Sequence, residues 1–318
     1  MAVQVIAVQV SGADARPVLA VDIGGTKIAV GLVNAEGAVR ARRQAPTGPE
    51  PARTLDTLIA EVLDEGDWGP LAGVGIGCGG PMRWPEGIVS PLNIPAWAGG
   101  YPLRQRLAER FPGIPVRLHN DALAFVAAEH WRGAARGHDN ALGVVVSTGV
   151  GGGLVLDGTL RSGPTGNAGH VGHVVVDSGG PPCGCGGHGC VEAVARGPAM
   201  VAWARAQGLN VGDGRDLAAA ARAGDAVAAA AFQRSGRAVG QGLAGVAAAL
   251  DLDVVVLGGG IASTGDLLLD HVRAAFAEYG AMRYVRRTII TGAALGADAG
   301  LVGAAALVLR GDRYWSAD

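Results

Sequence analysis

Charge is scarce in this chain and balanced where it occurs. Of 318 residues, 26 are Lys or Arg and 28 are Asp or Glu, giving a formal net charge of −2, and charged residues make up only 17%. No block of like charge runs far enough to form a nucleic-acid tail, which excludes a general polyanion binder. Long apolar runs are missing too. The stretch Gly242–Leu257 is rich in glycine and alanine and is broken by Asp251 and Asp253, so no membrane crossing is expected. Met1–Val10 lacks both a basic opening and a full apolar core, which argues against a signal peptide and for the cytoplasm. Cysteines number four, and three of them, Cys183, Cys185 and Cys190, lie within eight residues. In a reducing compartment a cluster of that density points to metal before disulfide.

What the chain has in quantity is apolar residues and glycine. Hydrophobic residues reach 49%, enough to exclude global disorder, and the length fits about two domains of roughly 100–200 residues. The 54 glycines follow no collagen-like period. Tight backbone turns must therefore be spread through a globular fold.

Along the chain, strands alternate with helices. Val18–Val21 and Ile28–Val33 read as two strands joined by the tight turn Asp22-Ile-Gly-Gly-Thr-Lys27. Thr54–Leu63 has helical spacing of apolar residues, and Leu71–Gly77 reads as a buried strand. Val116–Leu118 is a short strand followed by a helix over Ala122–Trp131. The second half opens the same way, with a strand at Ala141–Ser147, a glycine turn at Thr148–Gly153 and a strand at Leu154–Leu156, which suggests a duplicated architecture. Leu217–Leu250 reads as two or more packed helices, and Val254–Leu257 as a strand ending in Gly258-Gly259-Gly260. A last helix over Asp298–Leu309, with the Asp as N-cap, precedes a loose tail at Arg310–Asp318.

Three glycine turns thus follow strands: Asp22–Lys27, Ser147–Gly153 and Leu257–Gly260. Bare amides in such turns approach phosphate oxygens closely. Neither G-x-x-x-x-G-K-[ST] nor a helix-opening G-x-G-x-x-G with its distant acid is present, yet three turns together point to a nucleotide. Asp121, following Asn120, is a candidate base for accepting a hydroxyl proton, with an ordinary helix cap as the competing role. Asp22 suits a hard cation or a turn. Cys183, Cys185 and Cys190 supply three thiolates of a tetrahedral zinc site, with His173 and His188 both open as the fourth ligand. Cys78 reads as a core cysteine.

The segments Asp22-Ile-Gly-Gly-Thr-Lys27, His119-Asn-Asp-Ala122, Ser147-Thr-Gly-Val-Gly-Gly-Gly153, Gly169-His-Val-Gly-His173 and Cys183-Gly-Cys-Gly-Gly-His-Gly-Cys-Val-Glu192 resemble, in order and spacing, the ROK family of bacterial sugar kinases and related repressors. The resemblance runs from Val18 to Leu309 and implies an α/β chain with the two-lobed actin-like ATPase (ribonuclease H-like) fold, ATP and sugar meeting between the lobes. It divides the chain into an N-terminal extension over 1–17, a first lobe over 18–120 with the helix 298–309 packed back on it, and a second lobe over 121–297 carrying the zinc loop. Only about 17 residues precede the first strand, so the winged helix-turn-helix of the repressors is not expected.

The resemblance also implies roles. Asp121 is the catalytic base and Asn120 holds the sugar, together with Gly79, Gly80, Asn93, His170, His173 and Glu192. Nucleotide and Mg²⁺ fall to Asp22, Gly24, Gly25, Thr26, Lys27, Thr148, Gly149, Gly151, Gly258 and Gly259. The family pattern selects His173, with Cys183, Cys185 and Cys190, as the structural zinc ligands. Glucokinases of the family usually read Gly-Glu-x-Gly-His, whereas His170 stands at the Glu position here, as in N-acetylmannosamine kinases. The expectation is an ATP-dependent hexose kinase, with an N-acetylmannosamine kinase as alternative and a non-catalytic sugar sensor as the competing class. A homodimer or homotetramer is implied.

Overall fold

The structure is a computed structural model that describes residues 16–316; of the extension expected over 1–17, all but Arg16 and Pro17 lies outside the described residues. Strands β1 (Val18–Ile23), β2 (Lys27–Val33), β3 (Val39–Pro46) and β4 (Gly73–Cys78) are followed by a small hairpin, β5 (Met82–Arg83) and β6 (Ile88–Val89), and then by β7 (Val116–Asn120). The second half supplies β8 (Ala141–Val146), β9 (Val150–Leu156), β10 (Thr159–Arg161), β11 (Val254–Gly258) and β12 (Ile289–Gly292). The first sheet has the order β3-β2-β1-β4-β7 and the second β10-β9-β8-β11-β12. In each, the first two pairings are antiparallel and the last two parallel. The two sheets are therefore topological copies.

Burial follows position in the sheet. β4 is parallel to both its neighbours and buried throughout, so Gly-Val-Gly-Ile-Gly-Cys carries no polar side chain. β3, on the outer edge, reads Val-Arg-Ala-Arg-Arg-Gln-Ala-Pro and keeps most of those positions accessible, a charged edge that resists pairing with another chain.

Two helices fill the space between the sheets. Asp121–Arg132 is buried from Ala122 to His130, and its apolar side chains cluster with those of β8, β11 and the helix Ala299–Leu309. The latter helix meets its neighbours backbone to backbone. A Cβ on Gly75 of β4 would strike the Ala304 carbonyl, and one on Gly303 would strike the carbonyl of Ala124. Asp298 precedes this helix but does not cap it with its side chain; the carboxylate pairs instead with Arg42 Nη1 at 2.9 Å, tying the helix start to β3.

The tail expected to be loose is anchored. Gly311–Tyr314 is a short helix, and Tyr314 and Trp315 are 2% and 8% exposed. Tyr314 Oη lies 2.7 Å from His130 Nδ1, and Trp315 sits edge-on to Trp84 and His119. Aromatic burial outweighs the polar sequence around it. The glycine turn expected over Thr148–Gly153 is also shorter than its composition implies, because β9 begins at Val150.

Overpacking a site walled by backbone costs about 1–3 kcal/mol, so Gly303→Ala is expected to lower the thermal midpoint by several degrees. Gly245 lies in an exposed helical turn with nothing within 4 Å of an added Cβ, and Gly245→Ala is expected to raise it slightly through helix propensity. Thermal unfolding followed by circular dichroism checks the pair.

Candidate active site

In parallel α/β sheets, ligand-binding residues gather at the carboxyl ends of strands. Register brings three such ends together here. Asp22 of β1 stands opposite Gly77 of β4, which stands opposite His119 of β7; one residue further, Ile23, Cys78 and Asn120 align. Asn120 caps the following helix, its Oδ1 accepting from the Ala122 amide at 3.0 Å, and Asp121 is the first helical residue, with Oδ1 2.9 Å from the same amide. The two oxygens share the one amide, and Asp121 Oδ2 has no hydrogen bond among the described residues.

Gly77 separates two carboxylates. A Cβ built there would lie 3.9 Å from Asp22 Oδ1 and 3.8 Å from Asp121 Cα, and one on Gly79 would lie 3.9 Å from Asp121 Oδ2. Burial, and then repulsion from Asp121, push the Asp22 carboxyl up to about 6 against the pull of Lys27 and Arg42. Asp121 remains open to solvent at its tip, yet the protein crowding it still raises its pKa, the Ala122 amide offsetting part of the effect. The Asp22 carboxylate lies on Gly300, in the first turn of helix Ala299–Leu309, where any side chain would collide with it.

The turn Asp22–Lys27 is held from outside. Thr47 donates its hydroxyl to the Gly24 carbonyl at 2.7 Å and its amide to the Thr26 carbonyl at 3.2 Å, and the Gly24 amide bonds Lys27 O at 3.0 Å. Gly25, Thr26 and Lys27 are exposed. Asn93 packs on Gly25, in space that a Cβ there would occupy, which sets Asn93 against the glycine turn. Gly80 lies beside the amide of Asn120, an added Cβ falling 3.2 Å from its Nδ2.

On the second sheet, β8 and β11 are neighbours, so their glycine turns are neighbours as well. The Ser147 amide bonds the Gly149 carbonyl at 2.9 Å, leaving Thr148 at the exposed tip. Gly259 has φ +92° over the Val146 carbonyl, a conformation and a clearance open only to glycine. Gly258 rests on the Phe125 ring. Gly151 differs from expectation: it lies within β9, where an added Cβ would fall 3.2 Å from the methyl of Ala122. Its missing side chain serves close packing of strand on helix, so it is not part of the turn.

That contact joins the two halves of the site. Val150, next to Gly151, donates its amide to Glu192 Oε2 at 2.8 Å, from the first turn of the helix Val191–Ala195. Glu192 in turn acts electrostatically on His170, whose pKa is lowered by burial and by His173. The His170 and His173 rings stack with centroids 6.3 Å apart, and His170 Nδ1 is buried with no hydrogen-bond partner.

The metal-type cluster forms on the same loop. His173, Cys183, Cys185 and Cys190 bring one ligand atom each within 4.8 Å of one another. Cys185 and Cys190 Sγ are 3.8 Å apart, and His173 Nδ1 is 3.7 Å from Cys183 Sγ. A tetrahedral site with Zn–S bonds of about 2.3 Å requires sulfur separations of about 3.8 Å, so the donors fit zinc in both type and spacing. His188 is not in this group.

Two residues that composition did not single out are fully buried, one beside the site and one towards the far end of the helix that begins at Asp121. His119 is fully buried between Trp84, stacked at 5.5 Å, and Trp315. Its Nδ1 accepts the Asn120 amide at 3.1 Å, so Nε2 carries the proton donated to Ser162 Oγ at 2.7 Å; burial lowers its pKa to about 3. Glu129, also fully buried, accepts from the amides of Ala134, Ala294 and Leu295. The position of His119 inside the motif with Asn120 and Asp121 was the one signal for it.

The model of the ROK family matches residues 18–311. A glucokinase of Thermotoga maritima is 36% identical over 311 residues, spanning 91% of this chain and 96% of that one. An N-acetylmannosamine kinase of Citrobacter koseri is 39% identical over 301 residues, 93% of this chain and 99% of the other. A solved ROK family glucokinase from Streptomyces griseus, in complex with glucose and AMPPNP, superposes with a TM-score of 0.79 at 34% identity, covering 92% of this chain and 99% of that one. The fold is accordingly the two-lobed actin-like ATPase fold. Since the match takes in both sheets, the paired carboxylates and the cysteine loop, the chain belongs to the ROK family.

Proposed function

We propose that this protein is an ATP-dependent sugar kinase that transfers the γ-phosphoryl group to the 6-hydroxyl of a hexose. The observation that carries this reading is the pair Asp22 and Asp121, set on either side of Gly77 at adjoining strand ends, in a chain whose relatives are glucokinases and N-acetylmannosamine kinases. Phosphoryl transfer asks the protein mainly for positioning and charge stabilisation. The exposed turn Gly25–Lys27 and the tips at Thr148–Gly149 and Gly258–Gly259 offer backbone donors for the nucleotide phosphates. Asp22, half-buried and accepting no hydrogen bond among the described residues, fits Mg²⁺, a hard cation that takes carboxylate oxygens; bound there, Mg²⁺ would supply charge neutralisation on the phosphates.

Asp121 acts as the base. Its Oδ2 is free, and its raised pKa lies closer to working pH, which favours proton acceptance from a hydroxyl. Asn120 spends its oxygen on the cap, so its Nδ2, beside Gly80, is the donor left for the sugar. His170, with Nδ1 unpartnered, and Glu192, with Oε1 left over, complete the sugar contacts with Gly79, Asn93 and His173. Zinc held by His173, Cys183, Cys185 and Cys190 would be structural, fixing a glycine-rich loop that has few side chains to pack, and through it Glu192. The imidazole of His170, in place of the glucokinase carboxylate, favours the N-acetylmannosamine reading as the second candidate.

ADP release measured across glucose, mannose, N-acetylglucosamine and N-acetylmannosamine tests the reading; no release with any of them would leave a sugar sensor. With the best substrate, Asp121→Asn is expected to lower kcat roughly 10²-fold or more while calorimetry still detects sugar binding. Unchanged turnover would remove Asp121 from the chemistry.

Because Asp22 titrates near 6, proton competition should weaken Mg²⁺ activation about tenfold per pH unit below that value and leave it flat above. For stability the sign is opposite. The folded pKa lies above the unfolded one, so metal-free protein loses stability as pH rises from about 4 to about 6. Asp22→Asn is expected to raise the thermal midpoint at pH 8, the gain vanishing towards pH 4.

Metal analysis of purified protein is expected to give one zinc per chain, retained in His188→Ala and lost in His173→Ala. Retention in His173→Ala with loss in His188→Ala would reassign the fourth ligand.

A further inference from the structure

A second polar site lies at the opposite end of the Asp121–Arg132 helix. His130 and Trp131 from that helix, Arg136–Asp139 from the loop after it, and Arg310, Arg313 and Tyr314 from the tail enclose a cavity of about 220 Å³. The side chains of Arg136, Arg310 and Arg313 have no hydrogen bond or ion pair among the described residues, whereas Arg42, Arg110, Arg161, Arg237 and Arg287 each pair with a carboxylate. Three guanidinium groups without a partner among the described residues thus line the cavity with one carboxylate, Asp139.

We propose that this cavity is a regulatory site for a phosphate monoester or free phosphate, separate from the catalytic site. Guanidinium forks match phosphate oxygens in geometry and charge, and a concave, water-accessible pocket of this size suits a small anion rather than a polymer. The groups between the arginines are neutral. His130 Nε2 is 2.9 Å from the His138 carbonyl, so it donates there and Nδ1 accepts the Tyr314 hydroxyl. Burial pushes that hydroxyl up to about 12 and lowers the His130 pKa. The His130–Tyr314 bond is a fixed floor, and the arginines above it bind the ligand.

The site reaches the catalytic end by two routes. His130 and Asp121 share one helix, and Tyr314 is followed by Trp315, which contacts the His119 ring beside Asn120. An anion that draws Arg310 and Arg313 towards Arg136 tightens the tail on that helix.

The test uses full-length protein saturated with AMPPNP, Mg²⁺ and sugar, so that the catalytic site is filled. Calorimetric titration with inorganic phosphate, and separately with a hexose 6-phosphate, is expected to show one further site per chain, weakened at least tenfold in Arg136→Ala/Arg313→Ala. Arg136 and Arg313 are exposed, so the variant is expected to keep wild-type kcat without added phosphate, which also reports correct folding. Comparable binding of both ligands identifies phosphate alone as the determinant; stronger binding of the ester adds a contact to its sugar, for which Asp139 and His138 are placed. No further site in the saturated wild type, or equal binding by the variant, overturns the proposal.

Discussion

Asp22 and Asp121 repel each other across a residue that has no side chain, and much of the molecule exists to hold them there. Their separation is fixed by parallel register, which any one-residue slip would destroy, because it would turn each side chain to the opposite face of its sheet. Gly77 keeps the gap narrow, Gly300 gives the Asp22 carboxylate a surface to rest on, and Asn120 shares the Ala122 amide with Asp121 Oδ1 at the helix start. Both carboxyl groups are harder to ionise than in water. Such strain is tolerated where a cation and a polyanionic nucleotide are the partners.

The surroundings are stiff in ways that matter for chemistry. Backbone-to-backbone packing at Gly75 and Gly303 sets helix Ala299–Leu309 against β4 and against the helix that begins at Asp121. His119 binds the end of β7 to Ser162 across the two halves of the chain; its low pKa keeps the ring neutral over the physiological range, and the Asn120 amide at Nδ1 fixes the tautomer. Glu129 satisfies three backbone amides at once. Each is a fixed support for a residue that must hold position to within a fraction of an ångström.

Much of this was legible in the sequence because its signals were local. Strand-turn-strand alternation, the cysteine spacing and the Asn120–Asp121 pair all concern residues close together along the chain. What was not legible depended on distant partners. Gly151 reads as a turn residue until Ala122 is seen against it. Asp298 reads as a cap until Arg42 claims its carboxylate, and the tail reads as loose until Trp84 and His119 are found beneath Trp315. Composition gives the competing options in each case, and tertiary contact selects between them. The choice between His173 and His188 was left open by the residues alone and decided by the family pattern; the folded loop brings His173 Nδ1 to the thiols in agreement with it.

The matching order of the two sheets has an electrostatic corollary. Where β1 presents Asp22 opposite Gly77, the equivalent register in the second sheet presents Val145 opposite Gly258. The first sheet has acids at these strand ends, and the turns after β8 and β11, Ser147–Gly149 and Gly258–Gly260, carry no carboxylate. Carboxylates at the strand ends of both sheets would meet a triphosphate with negative walls on two sides; here only the first sheet carries them.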